Sequence, residues 1–86
     1  MEDYSRAIEL DPKYASAYRN RGIAYERLGE YQRALKDYGR AIELDSKDAY
    51  AYHGRGVAHA NLGENQRALE DYSRAIELDP NYASAY

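Results

Sequence analysis

His53 and His59 are the only imidazoles in 86 residues, so acid–base or metal chemistry would have to use them or the carboxylates. Six residues on a helix separate two side chains by about 120° around the axis, which keeps these rings from closing on one ion or one substrate. His59 has no second donor at ligand spacing. Serines are present, but no spacing of His and Asp around them makes a catalytic triad. Gly54-Arg55-Gly56 resembles a phosphate loop only in its letters, because it falls inside a helical pattern and lacks a strand–turn–helix setting. The 15 Asp and Glu and 12 Lys and Arg lie mostly on helix faces expected to be wet, where i,i+4 pairing is their ordinary use. The residues therefore predict no catalytic site, no metal site and no cofactor.

Arg21 and Arg55 need a different account, since each is a charge inside an otherwise apolar stripe. A guanidinium can reach a carboxylate at an interface while its stem packs. Asp37 and Asp71 are the candidate partners for structural ion pairs, with Asp3 and Asp37 of the preceding copy as alternatives. Both Arg and Asp recur with the pattern described next, as packing positions do, so the reading is structural rather than ligand capture.

What positions these residues is an internal repeat. Offsetting the chain by 34 residues aligns Tyr4, Tyr38 and Tyr72, then Ala7, Ala41 and Ala75, then Leu10, Leu44 and Leu78. Residues 15–48 match 49–82 at 21 of 34 positions, and residues 1–18 match 69–86 at 16 of 18. Such a period means stacked units, each burying its apolar face against its neighbours. Within a unit, Tyr18, Arg21, Gly22, Tyr25 and Leu28 share one side of a first helix at about 100° per residue. Tyr52, Arg55, Gly56, His59 and Leu62 are their counterparts. Ala34, Leu35, Tyr38, Ala41 and Ile42 form the stripe of a second helix, which Ala68, Tyr72 and Ala75 repeat. Small residues allow close approach and Tyr rings fill the remaining space. Gly29 and Gly63 end the first helix of each unit. Asp11-Pro12, Asp45-Ser46 and Asp79-Pro80 read as N-caps of the next one.

Composition agrees with a small helical array. All 11 aromatics are Tyr, with no Phe, Trp or Cys, so disulfides and thiol chemistry are excluded and a reducing, cytoplasmic location fits. The net charge of −3 gives no overall field toward nucleic acid or anionic lipid. No apolar run approaches a membrane span and no secretory signal opens the sequence. RNA reading by helical hairpins would require a basic stripe that is missing here.

The repeated letters resemble the tetratricopeptide repeat family. Its pattern of an aromatic, an aliphatic, Gly and Tyr, then Ala, an aromatic, Ala and Pro falls here on Tyr18, Arg21, Gly22, Tyr25, Ala34, Tyr38, Ala41 and Ser46. The second copy places Tyr52, Arg55, Gly56, His59, Ala68, Tyr72, Ala75 and Pro80 there. Arg21 and Arg55 replace the usual aliphatic and Ser46 the usual Pro. The resemblance implies an all-α, right-handed α-solenoid of antiparallel helix–turn–helix repeats. Residues 1–12 would form a helix-B half-repeat, 15–48 and 49–82 full repeats, and 83–86 the start of a further helix A. Met1 stands where Leu69 is apolar, which reads as a start placed within a helix.

The resemblance further implies that helix A of each unit lines a concave groove for an extended peptide or a partner helix. Residues that differ between copies fall opposite the packing stripe on the helical wheel: Ser16, Arg19, Asn20, Ile23, Glu26 and Arg27 in the first unit, and Tyr50, His53, Val57 and Asn61 in the second. These form the predicted groove. Arg19, Arg27 and Asn20 could hydrogen-bond a carboxylate, Tyr50 and His53 offer flat rings, and Ile23 and Val57 an apolar floor. Family members that clamp a chaperone's C-terminal carboxylate use Lys, Asn and Arg along helix A. Arg19 fits in part, whereas Ile23, Gly54 and Val57 stand where polar clamp residues would fall. The function expected is a non-enzymatic protein-interaction scaffold. The alternative is a self-assembling segment, a head-to-tail or helix-exchanged homo-oligomer.

Overall fold

The computed structural model of the chain describes residues 2–80. It folds into five helices: α1 (Glu2–Leu10), α2 (Ala15–Arg27), α3 (Tyr31–Leu44), α4 (Ala49–Asn61) and α5 (Asn65–Leu78). Met1 and the further helix A expected at 83–86 lie outside the described residues.

Two tight hairpins, α2–α3 and α4–α5, are closed in the same way. Gly29 takes φ 77° and Gly63 φ 80°, a left-handed conformation that a Cβ disfavours. It lets Gly29 N donate to Glu26 O at 2.9 Å and Glu30 N to Tyr25 O at 2.9 Å. In the second hairpin, Gly63 N donates to Ala60 O at 3.0 Å and Glu64 N to His59 O at 2.8 Å. These are the paired bonds of a Schellman ending, which satisfy carbonyls that the helix itself leaves open.

The links between hairpins differ from the expected caps. Helix α2 starts after Tyr14 and α4 after Asp48, three residues beyond Asp11 and Asp45. Asp11 and Asp45 instead open a turn: Tyr14 N donates to Asp11 O at 3.0 Å, and Asp48 N to Asp45 O at 3.3 Å. Their carboxylates accept from Lys13 N and Lys47 N, each at 3.1 Å. Asp followed by Pro suits the first two positions of such a turn as well as a helix start, and here the turn prevails. The side-chain cap falls to Asp48, which accepts from Ala51 N at 3.2 Å.

Helices α3 and α4 pack across the unit boundary, α1 covers α2, and α2 touches α4, which gives a solenoid of helical repeats. Tyr38 is the wedge at its centre, 1% exposed. A Cβ on Gly22 would stand 3.0 Å from Tyr38 Cδ1, and one on Gly54 only 2.5 Å from Cζ. Glycine at both places lets α2 and α4 close on the ring, which withdraws about 150–250 Å² from water. Ala34 and Ala58 complete this cluster, with Ile23, Tyr25, Tyr31 and Leu35 packed against it. Ala41, Ala68 and Ala75 are buried in the same manner. Among the described residues no helix is long and apolar enough to cross a membrane.

Candidate partner-binding groove

The stripe charges are held within each hairpin. Arg21 donates from Nε to Asp37 Oδ2 and from Nη2 to Asp37 Oδ1, both at 2.8 Å, and reaches Ser5 Oγ with Nη1 at 3.4 Å. Arg55 forms the same fork with Asp71 at 2.9 and 2.8 Å. Of the open alternatives, the geometry selects the carboxylate of the same hairpin. The bond to Asp37, partly offset by burial, raises the Arg21 pKa above its ordinary value, and Asp71 does the same for Arg55. Fixed planar forks of this type position helices. The Arg21 guanidinium also lies 5.8 Å from the ring centroids of Tyr18 and Tyr25, and that of Arg55 lies 5.5 Å from Tyr52.

His59 is 9% exposed and bridges the end of α4 to the start of α5. Its Nδ1 meets Glu64 Oε1 at 2.7 Å, and its Nε2 lies 3.7 Å from Asp71 Oδ2. Among the described residues no group of three or more His, Asp or Glu is arranged to hold a metal ion.

The residues that vary between copies are not all turned to open solvent. Arg19 donates from Nη1 to Asp48 Oδ2 at 3.0 Å, and its guanidinium sits 5.7 Å from the Tyr50 ring centroid. Glu26 Oε1 accepts the Tyr38 hydroxyl at 2.8 Å. Ile23 packs on the Tyr38 cluster, and Gly54 is closed against Tyr38 itself. Arg19 and Gly54 thus meet the adjacent unit, whereas Glu26 and Ile23 turn to Tyr38 of their own hairpin. The remaining members are more open. Tyr50, Arg27 and Asn61 are exposed, while Ser16, Asn20, His53 and Val57 are half-buried. Asn61 Nδ2 donates to Val57 O at 2.9 Å.

His53 stacks obliquely on Tyr72 of α5, with ring centroids 5.7 Å apart. The Tyr72 hydroxyl has its pKa raised, first by burial and then by the charges of Glu26 and Asp71. Glu26 holds the Tyr38 hydroxyl, and Gly54 of α4, next to His53, closes on that same hydroxyl. Asn20, Ile23 and Arg27 meet in a neighbouring cleft of about 320 Å³ that Tyr4, Ala24 and Leu28 complete. The Arg19–Asp48 and Glu26–Tyr38 contacts escaped sequence reasoning. Only the first left a signal, in that Asp48 immediately precedes the Ala-rich start of α4 and suits an N-cap.

Comparison with known proteins places these features in context. The tetratricopeptide repeat family model matches residues 15–48 and 49–82. The chain is similar to the first TPR of Spaghetti (RPAP3) bound to the HSP90 peptide SRMEEVD, at 34% identity over 95% of this chain and 65% of that one, TM-score 0.93. It is similar to the Arabidopsis OM64 TPR domain, at 34% identity over 95% of this chain and 68% of that one, TM-score 0.94. A third is the second TPR domain of human RPAP3 in complex with the HSP70 peptide SGPTIEEVD, at 34% identity over 98% of this chain and 70% of that one, TM-score 0.93. The chain thus spans just under two thirds of the first structure, 65% of its length. Comparison with curated protein sequences gives no match.

Proposed function

The chain belongs to the tetratricopeptide repeat family, and from that premise we propose that it is a non-enzymatic scaffold. It holds a peptide or partner helix in a groove along α2 and α4, across Ser16, Asn20, Ile23, Glu26, His53 and Val57. The observation that carries this reading is the division of labour between residues. The packing set around Tyr38 and Tyr72 repeats, while the residues beside it on α2 and α4 change from unit to unit. Support also comes from relatives of the same fold that hold chaperone peptides. A peptide-display library panned on the native chain and on an Asn20→Ala, His53→Ala, Val57→Ala variant, each shown folded by circular dichroism, tests it. Binders that the variant loses support the groove, and equal capture by both proteins removes it.

Self-assembly is the second reading, favoured by one repeated stretch. Residues 2–11 and 70–79 are identical, and Leu10 and Leu69 are 78% and 60% exposed. Light scattering across a hundredfold range of protein concentration, on the native chain and on Leu69→Glu, decides it. A monomer throughout ends this reading.

A further inference from the structure

A count of charges on α2 and α4 narrows the ligand. Helix α2 carries one carboxylate, Glu26, and α4 carries none. Their arginines are mostly neutralised within the fold, Arg21 by Asp37, Arg55 by Asp71 and Arg19 by Asp48. Arg27 is exposed and lines the cleft on the α1 side with Tyr4 and Leu28.

Glu26 is different. It is half-buried, one of its oxygens accepts the Tyr38 hydroxyl, and among the described residues it forms no ion pair. The buried Asp37, Asp48 and Asp71 each have an arginine within 3.0 Å. A carboxylate partly withdrawn from water without a counter-charge is costly, and one neutral hydroxyl offsets only part of that cost. On α4, Gly54 lies against the Tyr38 hydroxyl that Glu26 accepts, and its neighbour His53 stacks on Tyr72. A carboxylate beside an aromatic surface is the arrangement that receives an ammonium or guanidinium.

Resting on the groove reading above, we infer that this groove takes a basic segment of its protein partner, with a Lys or Arg side chain paired to Glu26 beside His53 and Tyr72. An acidic ligand is disfavoured twice. Glu26 repels it, and Asp48 already holds the Arg19 guanidinium that a ligand carboxylate would need. Charge complementarity therefore separates this chain from a receptor for acidic C-termini.

The test titrates the isotope-labelled 86-residue chain with three end-blocked peptides of one Gly-Ala-Leu background, carrying two Lys, two Glu or two Gln. The Lys peptide is expected to shift amides around Glu26, His53 and Val57. Glu26→Gln, which keeps an acceptor for Tyr38, should weaken it about fivefold. Glu70→Gln, an exposed carboxylate on α5, should leave that affinity as it was. Asp48→Asn preserves the cap acceptor and frees Arg19, and should raise affinity for the Glu peptide. The inference is overturned if the Glu or Gln peptide binds these amides as tightly as the Lys peptide, or if Glu26→Gln changes nothing. Absence of α2 and α4 shifts with all three peptides would instead remove the groove reading beneath it.

Discussion

Arg21 and Asp37, 16 residues apart on the two helices of one hairpin, face each other through two parallel hydrogen bonds of 2.8 Å. The Asp37 side chain is 7% exposed and that of Arg21 is 22%, so the acid is the partner that suffers when the fork is broken. Breaking a fully buried pair costs roughly 3–5 kcal/mol. With Arg21 part-exposed, Arg21→Leu is expected to destabilise by about 2 kcal/mol. Arg21→Leu with Asp37→Leu should recover most of this, because no charge is then stranded. Urea unfolding of the single and double variants measures both, and peptide affinity should stay near that of the native chain. A double variant as unstable as the single one would show that stability comes from the fork itself.

Glycines on the helices give opposite expectations according to what faces them. A Cβ at Gly54 would lie 2.5 Å from Tyr38 Cζ, whereas one at Gly39 meets nothing within 4 Å. Tyr38 cannot withdraw, since it is held between α2 and α4. Gly54→Ala should therefore cost about 1–3 kcal/mol despite its better helix propensity. Gly39→Ala should stabilise by about 0.5–1 kcal/mol through that propensity alone. For a chain of this size a difference of 1 kcal/mol moves the thermal midpoint by about 4–8 °C, so melting curves separate the two outcomes.

Tyr72 predicts an alkaline limit. Burial, then the charges of Glu26 and Asp71, raise its pKa in the folded chain above the ordinary value of 10.0. As pH rises, the unfolded chain gives up this proton first, so the stability present below about pH 10 is lost as pH climbs toward the folded pKa. Urea midpoints measured from about pH 9 to 11 should fall less steeply in Tyr72→Phe than in the native chain. Equal slopes would mean that this hydroxyl does not report its surroundings.

Much of this architecture was legible because packing residues repeat while surface residues drift. The recurrence of Ala34, Tyr38 and Ala41 at Ala68, Tyr72 and Ala75 marks the helix that each unit buries, and Gly29 and Gly63 mark where its partner ends. The caps differ because Asp11-Pro12 and Asp45-Ser46 each fit a turn as well as a helix start; α2 then begins after Tyr14 with no side-chain cap, and α4 after Asp48, which reaches Ala51 N. The groove was harder to read for a related reason. Variation between the two copies separates the repeated packing set from the rest, and the three-dimensional arrangement then sets which varying side chains turn inward. Arg19 and Glu26 vary with the copies, yet each reaches a residue of another helix, and that contact depends on the spacing between helices. The partner of Arg21 was likewise open, because Asp3 and Asp37 occupy the same register of successive units.

Asp48 allows capping and ion pairing to be weighed at one residue. Oδ1 accepts from Ala51 N at 3.2 Å and Oδ2 pairs with Arg19 at 3.0 Å, so one carboxylate starts α4 and ties it to α2. Asp48→Ala removes both functions and should cost about 2 kcal/mol, of which the cap supplies about 1. Asp48→Asn keeps the cap, since Asn ranks with Asp at this position, and loses only the charge. Because the Arg19 side chain is 27% exposed, that loss should stay at or below about 1 kcal/mol. A cycle adding Arg19→Ala isolates the pair: in the Arg19→Ala background, Asp48→Asn should become nearly neutral. An unchanged cost there would show that the Asp48 charge acts on the start of α4 and not through Arg19, and the link between the two units would then rest on Tyr38 and its glycines.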